Sequence, residues 1–562
     1  MMTHMKSTRL LLLLCPLVLC SYIGSYSQQT HKQEKDALDV LNYQEDTLTK
    51  EGTSALYATL ERFTSGDISD NEAMRIHSLR FANTSRLTEV FPSLKLFYRE
   101  PQEGEVTFHW KRKYRDLQSH PMGTALSFLG VQSKGLTTLR PLHKMPHVVW
   151  GNVSYDHQYA QGQLWNETAD YQKLYPYVMG DSIGGPLTSS IYHFDGGYSL
   201  LPTKYAAIGV KISFDGNVSY RRKDPRPKNI ATRLAGALSG SFHLHRDHLI
   251  SLLLSGERYK QSNDISFYSQ IGNSFIYHLT GIGTVHPRFS GVEKEVFYSG
   301  NGYKLGCSWV KMHSSAKREL SMSHALSLHF GQNRIEKIMA NINNAPLFYT
   351  IASNGVLQAY TDIRWRKMAL HPYLSLGFSC KTGMENILGD PAQGEYTVLN
   401  TISPFQQKTK GIDTGIQYEQ QFTSNDRLLA AITYSYKNEK EQYILQENQG
   451  GRSLSTTKYS LQGGWIHTYK KVVCKGLFTM GYITPRPMQL AFPPRGVPAV
   501  LAQHEEMLYN YLCQKRYFTQ AEITCRIPIG KKIALGIAAN AHIAWYKKAY
   551  GQTYELKSSL YF

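Results

Sequence analysis

KIALGIAANAHIAWY at positions 532–546 and GQTYELKSSLYF at 551–562 decide the fold. In the first stretch Ile533, Leu535, Ile537, Ala539, Ala541, Ile543 and Trp545 share one parity, and Ala534, Gly536, Ala538, Asn540, His542 and Ala544 the other. In the second, Tyr554, Leu556, Leu560 and Phe562 alternate with Thr553, Glu555, Lys557, Ser559 and Tyr561. Successive strand residues point to opposite faces, so each stretch reads as a strand with one apolar and one small or polar side. Aromatics near the ends of such strands suit a wall between lipid and a polar lumen.

The closing strand resembles the assembly signal of bacterial outer-membrane β-barrels, in which a polar residue and a glycine precede alternating apolar positions. Glu555, Leu560 and Phe562 match that pattern, and Lys557 stands where glycine is usual. The resemblance implies Leu560 and Phe562 as the assembly signal.

The beginning of the chain reads as an export signal. His4, Lys6 and Arg9 lead into the apolar run 10–19, too short to cross a bilayer as a helix, and Ser25-Tyr26-Ser27 offers a small-x-small cleavage site before Gln28. Leu19 is too bulky for a lipoprotein site at Cys20. No later stretch is long and apolar enough for a membrane helix, so an exported membrane protein of this composition has only a closed barrel open to it. The 38 Tyr and 44 Gly agree, because half of each barrel strand is polar. Cys307, Cys380, Cys474, Cys513 and Cys525 are widely spaced and read as small apolar strand residues. The net charge of +19 suggests polyanionic surroundings such as lipopolysaccharide, or an anion-favouring lumen. An exported chain without a binding motif gives no reason to expect nucleic acid.

Three parts follow: a signal peptide at 1–27, an N-terminal periplasmic or plug-like segment at 28–147 with one extra barrel hairpin as an alternative, and an outer-membrane barrel at 148–562. Strand-like stretches lie at 148–160, 190–200, 205–222, 231–244, 248–260, 302–312, 319–332, 354–368, 372–382, 410–422, 426–437, 457–469, 472–482, within 506–529, and in the final pair. The expected fold is all-β, a transmembrane antiparallel barrel of about 16 strands, with 14–18 as its range. Short connectors alternate with longer ones at 161–189, 261–301, 333–353, 383–409, 438–455 and 483–504. Short turns on one rim and long loops on the other are an outer-membrane layout, with both ends of the barrel in the periplasm.

Alternation assigns Lys211, Asp362, Arg364, Arg366, Asp413 and Glu419 to the lumen, because a one-residue slip would put them in lipid at about 2–4 kcal/mol per Arg or Lys. The run RRKDPRPKN at 221–229 reads as a stiff extracellular tip carrying Arg221, Arg222, Lys223, Arg226 and Lys228 toward anionic groups, or as a proline-stiffened turn that keeps an edge soluble. Tyr277 and His278, in YHLTG at 277–281, fall in the longest loop, which either folds into the pore or forms its own small core. No HExxH, nucleophile elbow, phosphate loop or paired-cysteine metal motif is present, so neither catalysis nor a cofactor or metal is expected.

Together with WNET at 165–168, the basic run and YHLTG resemble an uncharacterised Bacteroidota-type family of outer-membrane barrels. That resemblance implies location and fold and supplies no residue roles. The expected function is a conduit for anionic or polar solutes. The alternative is a closed barrel whose loops bind a partner or glycan. Lipid, lipopolysaccharide, the barrel-assembly machinery and an operon partner in the outer membrane or periplasm are the expected company.

Overall fold

The computed structural model describes residues 86–96, 104–142, 145–203, 205–245, 248–268, 274–291, 295–315, 320–339, 345–390, 396–530, 533–546 and 550–562, all within the compact unit Ala55–Phe562. The expected signal peptide and the segment up to 85 lie outside them.

Eighteen strands form one sheet that closes on itself. They are β1 (Gly104–Arg115), β2 (Ala125–Leu142), β3 (Met145–Gln163), β4 (Gly185–Thr203), β5 (Ala206–Tyr220), β6 (Arg226–His245), β7 (His248–Ser266), β8 (Glu295–Ser315) and β9 (Leu320–Met339). The circuit continues with β10 (Ala345–Trp365), β11 (Met368–Leu388), β12 (Val398–Gln421), β13 (Asp426–Leu445), β14 (Asn448–Tyr469), β15 (Val472–Ala491), β16 (Arg516–Pro528), β17 (Ala534–Tyr546) and β18 (Tyr550–Tyr561). Each pairs antiparallel with its neighbours in sequence, and β1 pairs with β18 to complete the ring. The expectation of about 16 strands is corrected to 18. The additional pair is β1 and β2. Its alternation is blurred because Leu126 and Phe128 face inward, against Ala160 and Leu187, while Leu129 faces out.

One rim carries only short connections, at 143–144, 204–205, 246–247, 316–319, 366–367, 422–425, 470–471 and 529–533. On the other rim 164–184, 267–294 and 492–515 are long. The long connectors expected around 333–353, 383–409 and 438–455 are instead mostly strand, extending β9 to β14 beyond the apolar zone. There neither face needs to be apolar, so the extensions carry no period-two hydrophobic signal.

The outer face is an apolar band. Ile208, Val210, Ile212 and Phe214 of β5 are exposed, as are Leu252 and Leu254 of β7, Leu326, Leu328 and Phe330 of β9, and Ile537, Trp545, Leu556, Leu560 and Phe562 at the end of the chain. Cys474 and Cys525 stand opposite one another across β15 and β16 and are joined as a disulfide, their Cα atoms 4.2 Å apart. This corrects their reading as unbonded strand residues, since directly opposed positions bring two cysteines within bonding reach.

Inside the short-turn end lies the segment 86–96, a helical turn (Leu87–Val90) followed by a 3-10 turn (Pro92–Leu96). Leu87, Phe91, Leu94 and Leu96 are buried against Val148, Leu201, Leu249, Val310 and Tyr360 from the wall. Its polar atoms are met as well. Ser93 N donates to Ser239 Oγ (2.8 Å), the Ser93 and Ser241 hydroxyls are 2.7 Å apart, and Ser199 Oγ donates to the Pro92 carbonyl (2.7 Å). Gly209 permits this approach, because a Cβ there would overlap the backbone of Pro92 and Ser93.

Candidate functional site: the braced mouth of the lumen

Three stretches singled out by the sequence meet inside the long-loop end. Residues 164–184 fold inward from β3. Met179–Gly180 pairs with Tyr277–Gly281, which pairs with Thr284–Val285, giving a small three-stranded sheet. Trp165 is buried, 5.2 Å from the Tyr277 ring, and His278 is fully buried within the sheet. The helix Ala499–Leu512 adds Leu501 to the same apolar cluster. In the described part of the longest loop, 277–285 forms this small sheet and Ile276 and Phe289 join a buried apolar cluster with Phe348 and Leu388.

The base of this cap is a buried ionic clamp. Arg221 Nη1 lies 2.9 Å from Glu167 Oε1 and 3.7 Å from Asp181 Oδ2, and all three side chains have zero exposure. Asp181 Oδ1 accepts the amides of Ile183 and Gly184 at 2.6 Å each. Asn263 Nδ2 donates to the Glu167 carbonyl. Gly185, at φ 140°, lets the Arg221 side chain pass, with Arg221 Cδ 3.1 Å from where a Cβ would stand. Two carboxyls facing one guanidinium leave one negative charge too many. Burial first, and then the neighbouring Asp181, push the Glu167 carboxyl well above the usual range, against the pull of Arg221.

From the clamp the cap crosses the lumen and is tied to strand after strand. Lys173 Nζ reaches Glu257 of β7 (3.2 Å) and sits over the Tyr259 ring (4.3 Å), while Tyr259 donates to Asp170 (2.7 Å). The Tyr298 hydroxyl of β8 donates to the Tyr177 carbonyl (3.1 Å). Tyr177 stacks on Phe348 of β10 with centroids 4.5 Å apart. Lys381 of β11 donates to the carbonyls of Gln172 (3.1 Å) and Tyr175 (2.9 Å), where the short helix Tyr171–Leu174 leaves its last acceptors open. Tyr175 donates to Glu441 of β13, which pairs with Arg452 of β14 (2.7 Å), and Arg452 pairs in turn with Glu505 of the helix (3.1 Å).

Below the cap the wall is charged, and on β4 to β7 much of that charge is paired. Lys211 lies 3.4 Å from Asp195, and His193 bridges Asp195 (2.8 Å) and Asp215 (2.6 Å). Arg233 Nε donates to Asp215 (2.7 Å), and Arg233 Nη1 reaches Glu257 (3.3 Å). This row links β4 to β7 and, through Glu257, the cap.

The other expected lumen residues fall as follows. Asp362 is buried, 2.6 Å from His371. Arg364 is half-buried with the inward parity of Asp362. Asp413 faces the lumen and accepts from Tyr373 (3.3 Å), and Glu419 is buried, 3.3 Å from Arg427. Arg366 departs from its expected place. It occupies the turn 366–367 at φ 51°, exposed, with its guanidinium 5.6 Å from the Trp365 ring, because strand alternation stops one residue earlier.

In the basic run Arg222, Lys223 and Lys228 are exposed, and Arg226 is held by Asp224 (2.6 Å) and lies over Tyr268 (4.3 Å). Arg221 is the exception, since it forms the clamp and leaves the tip without its charge. Leu560 and Phe562 face outward on the closing strand. The braces Glu257, Lys381, Glu441 and Arg452 were not anticipated. Their signal is an ionisable residue at inward parity in a strand, but the partner comes from a loop far away in sequence.

The model of a family of unknown function matches residues 95–562. No curated protein matches the chain in sequence. Among solved structures, the outer membrane transporter YddB from Escherichia coli is 9% identical, with 83% of this chain and 81% of that one covered, at a TM-score of 0.39. The ferric-catecholate import receptor Fiu from E. coli K12, in its open form, is 7% identical, with 83% and 82% covered, at 0.40. BauA, the ferric preacinetobactin receptor from Acinetobacter baumannii, is 8% identical, with 83% and 80% covered, at 0.37. None of these likenesses supplies a residue role.

Proposed function

We propose that this chain, which belongs to the DUF6850 family of unknown function, is an integral outer-membrane β-barrel working as a gated conduit for polar solutes, closed at rest. The apolar outer band supports the membrane. A ring of exposed Ile, Leu and Phe is far larger than the apolar patches soluble proteins tolerate, and closure removes the unpaired edges that lipid cannot satisfy. Both ends of the strand circuit lie at the short-turn rim, so that rim is read as periplasmic and the braced mouth as extracellular. Surrounding lipid, lipopolysaccharide and the barrel-assembly machinery are the partners implied.

One observation carries the gated reading: besides its apolar contacts and the buried clamp, the inward cap 164–184 is tied to the wall by a row of ion pairs and hydrogen bonds at Glu257, Tyr298, Lys381 and Glu441. Barrels of about 16–18 strands leave an aqueous channel unless something fills it. Polar ties that water can reach, such as Lys173–Glu257, can exchange for water at modest cost. The solutes are proposed to be polar, and part of the lumen's positive charge is already matched, since Lys211, Arg233, Arg427 and Arg452 face Asp195, Asp215, Glu419 and Glu441.

Single-channel recording in planar bilayers tests this. The full chain is compared with a variant whose 166–182 stretch is replaced by a Gly-Ser linker, alone and with Leu87, Phe91, Leu94 and Leu96 changed to Ser. The expected result is silence or brief openings from the full chain and steady currents once the cap is gone, with or without the second change. Steady currents from the full chain would remove the gate. Silence in every variant would favour the alternative, a closed barrel that binds a partner or glycan through its loops.

A further inference from the structure

The outer wall carries a charge pattern that the barrel itself does not balance. Lys408 of β12 and Lys440 of β13 are directly opposed in the ladder, and both are exposed with outward parity. Lys410 follows Lys408 on the same face. Directly opposed strand residues have Cβ atoms about 4.5–5.5 Å apart, and like charges so placed are destabilising. Among the described residues, the outward positions around them, Thr382, Gln406, Asn438, Gln442 and Ser453, are uncharged. The nearest acids in sequence, Glu439 and Glu441, take the opposite parity and pair with Lys437 (2.7 Å) and Arg452 (2.7 Å).

The level of the cluster says what fills it. Lys410 is directly opposite exposed Phe378, and the next outward residues toward the barrel waist are Ile412, Ile416 and Ile432, with Tyr434, Tyr436 and Tyr459 between. Tyrosines at the end of an apolar band mark a membrane–water interface, and lysines can lay their stems on apolar surface with the ammonium in the headgroup layer.

We propose that Lys408, Lys410 and Lys440 form a binding site for the phosphate of a lipid headgroup in the leaflet at the long-loop rim. This rests on the membrane-barrel reading above. Three ammonium groups around one phosphate turn a mutual repulsion into a shared attraction, and the lipid chains continue down the Phe378 and Ile412 surface.

The test uses the full chain refolded into phosphatidylcholine vesicles with a small fraction of bisphosphorylated lipid A, followed by detergent extraction and native mass spectrometry of retained lipid. Insertion is checked first by β-sheet circular dichroism and resistance to dissociation in unheated detergent gels. Failure there would refute the barrel reading itself. With insertion confirmed, K408Q/K410Q/K440Q is expected to retain lipid A at least tenfold less than wild type. K367Q/K470Q/K471Q, which removes equal charge from turns on the other rim, is expected to match wild type. Equal retention by the first variant, or equal loss in the second, would overturn the site. Full displacement of lipid A by millimolar inorganic phosphate would also overturn it, assigning the lysines to free phosphate. K440Q alone, which relieves the opposed pair and keeps two lysines, serves if the triple variant refolds poorly, with at least a threefold loss expected.

Discussion

Removing the guanidinium from the buried clamp gives the sharpest test of how the cap is held. In Arg221→Met the thioether fills most of the volume, and Glu167 and Asp181 are left facing each other at zero exposure without a cation. Breaking a buried ion pair from one side costs about 3–5 kcal/mol. At about 1.4 kcal/mol per tenfold, the cap should then open at least about a hundredfold more often. Hydrogen exchange reads this directly, because the Glu167 amide is held by the Met179 carbonyl (2.8 Å) and the Ile183 and Gly184 amides by Asp181. Those three amides, corrected for intrinsic rates, should speed up by that factor at pH 7.5, with strand amides unchanged. The pH dependence has a definite sign. The Glu167 pKa is raised in the folded state from its ordinary 4.5, so its contribution is fully present below that value and is lost as pH rises through the folded one. The excess opening of Arg221→Met should therefore shrink at pH 5. Glu167→Gln, which removes one of the two carboxylates facing the single guanidinium, should cost much less and should partly rescue Arg221→Met. Exchange within threefold of wild type in Arg221→Met, or a larger effect from Glu167→Gln, would refute the clamp.

Two further substitutions probe the cap at other points. In Gly281→Ala, at φ 109°, the new methyl would stand 2.6 Å from the Phe405 ring, and strain with overpacking should cost about 2–4 kcal/mol, seen as faster proteolysis within 274–291. Lys381→Met strips the carbonyls of Gln172 and Tyr175 of a charged donor at a cost of about 1.5–3 kcal/mol, and trypsin should then cleave after Lys173 sooner than in wild type.

The strands were legible wherever an outward apolar row opposed a polar one. In β5 the row Ile208, Val210, Ile212, Phe214 is exposed and Lys211 is inside, as alternation requires. The pattern failed where the inward face of a strand is apolar as well. In β2 inward Leu126 and Phe128 erase the contrast with Leu129, which is why the first hairpin escaped the count. It failed again above the band, where NEKEQ at 438–442 is strand with no apolar face at all. The cap was only half readable. Its pieces stood out as WNET, the arginine-led run and YHLTG, but nothing local says that Arg221 is buried by Glu167, since that depends on where the ring of strands brings two distant loops. Arg366 shows the opposite limit, because parity extended one residue past the strand end gives the wrong surroundings.

The seam between β1 and β18 has a kinetic meaning. Gly104 and Phe562 exchange main-chain bonds in both directions (2.9 and 3.0 Å), and the Phe562 ring lies where a side chain on residue 104 would have to be. Every other ladder of the barrel joins neighbours in sequence, while this one joins residues from opposite ends of the circuit, so its closure carries the largest loop-closure entropy. Until it closes, the nascent sheet carries two sticky margins of unpaired amides and carbonyls, each able to recruit another copy. Catalysed zipping of this single seam, more than any property of the finished wall, would then set the yield of closed barrels over fibres.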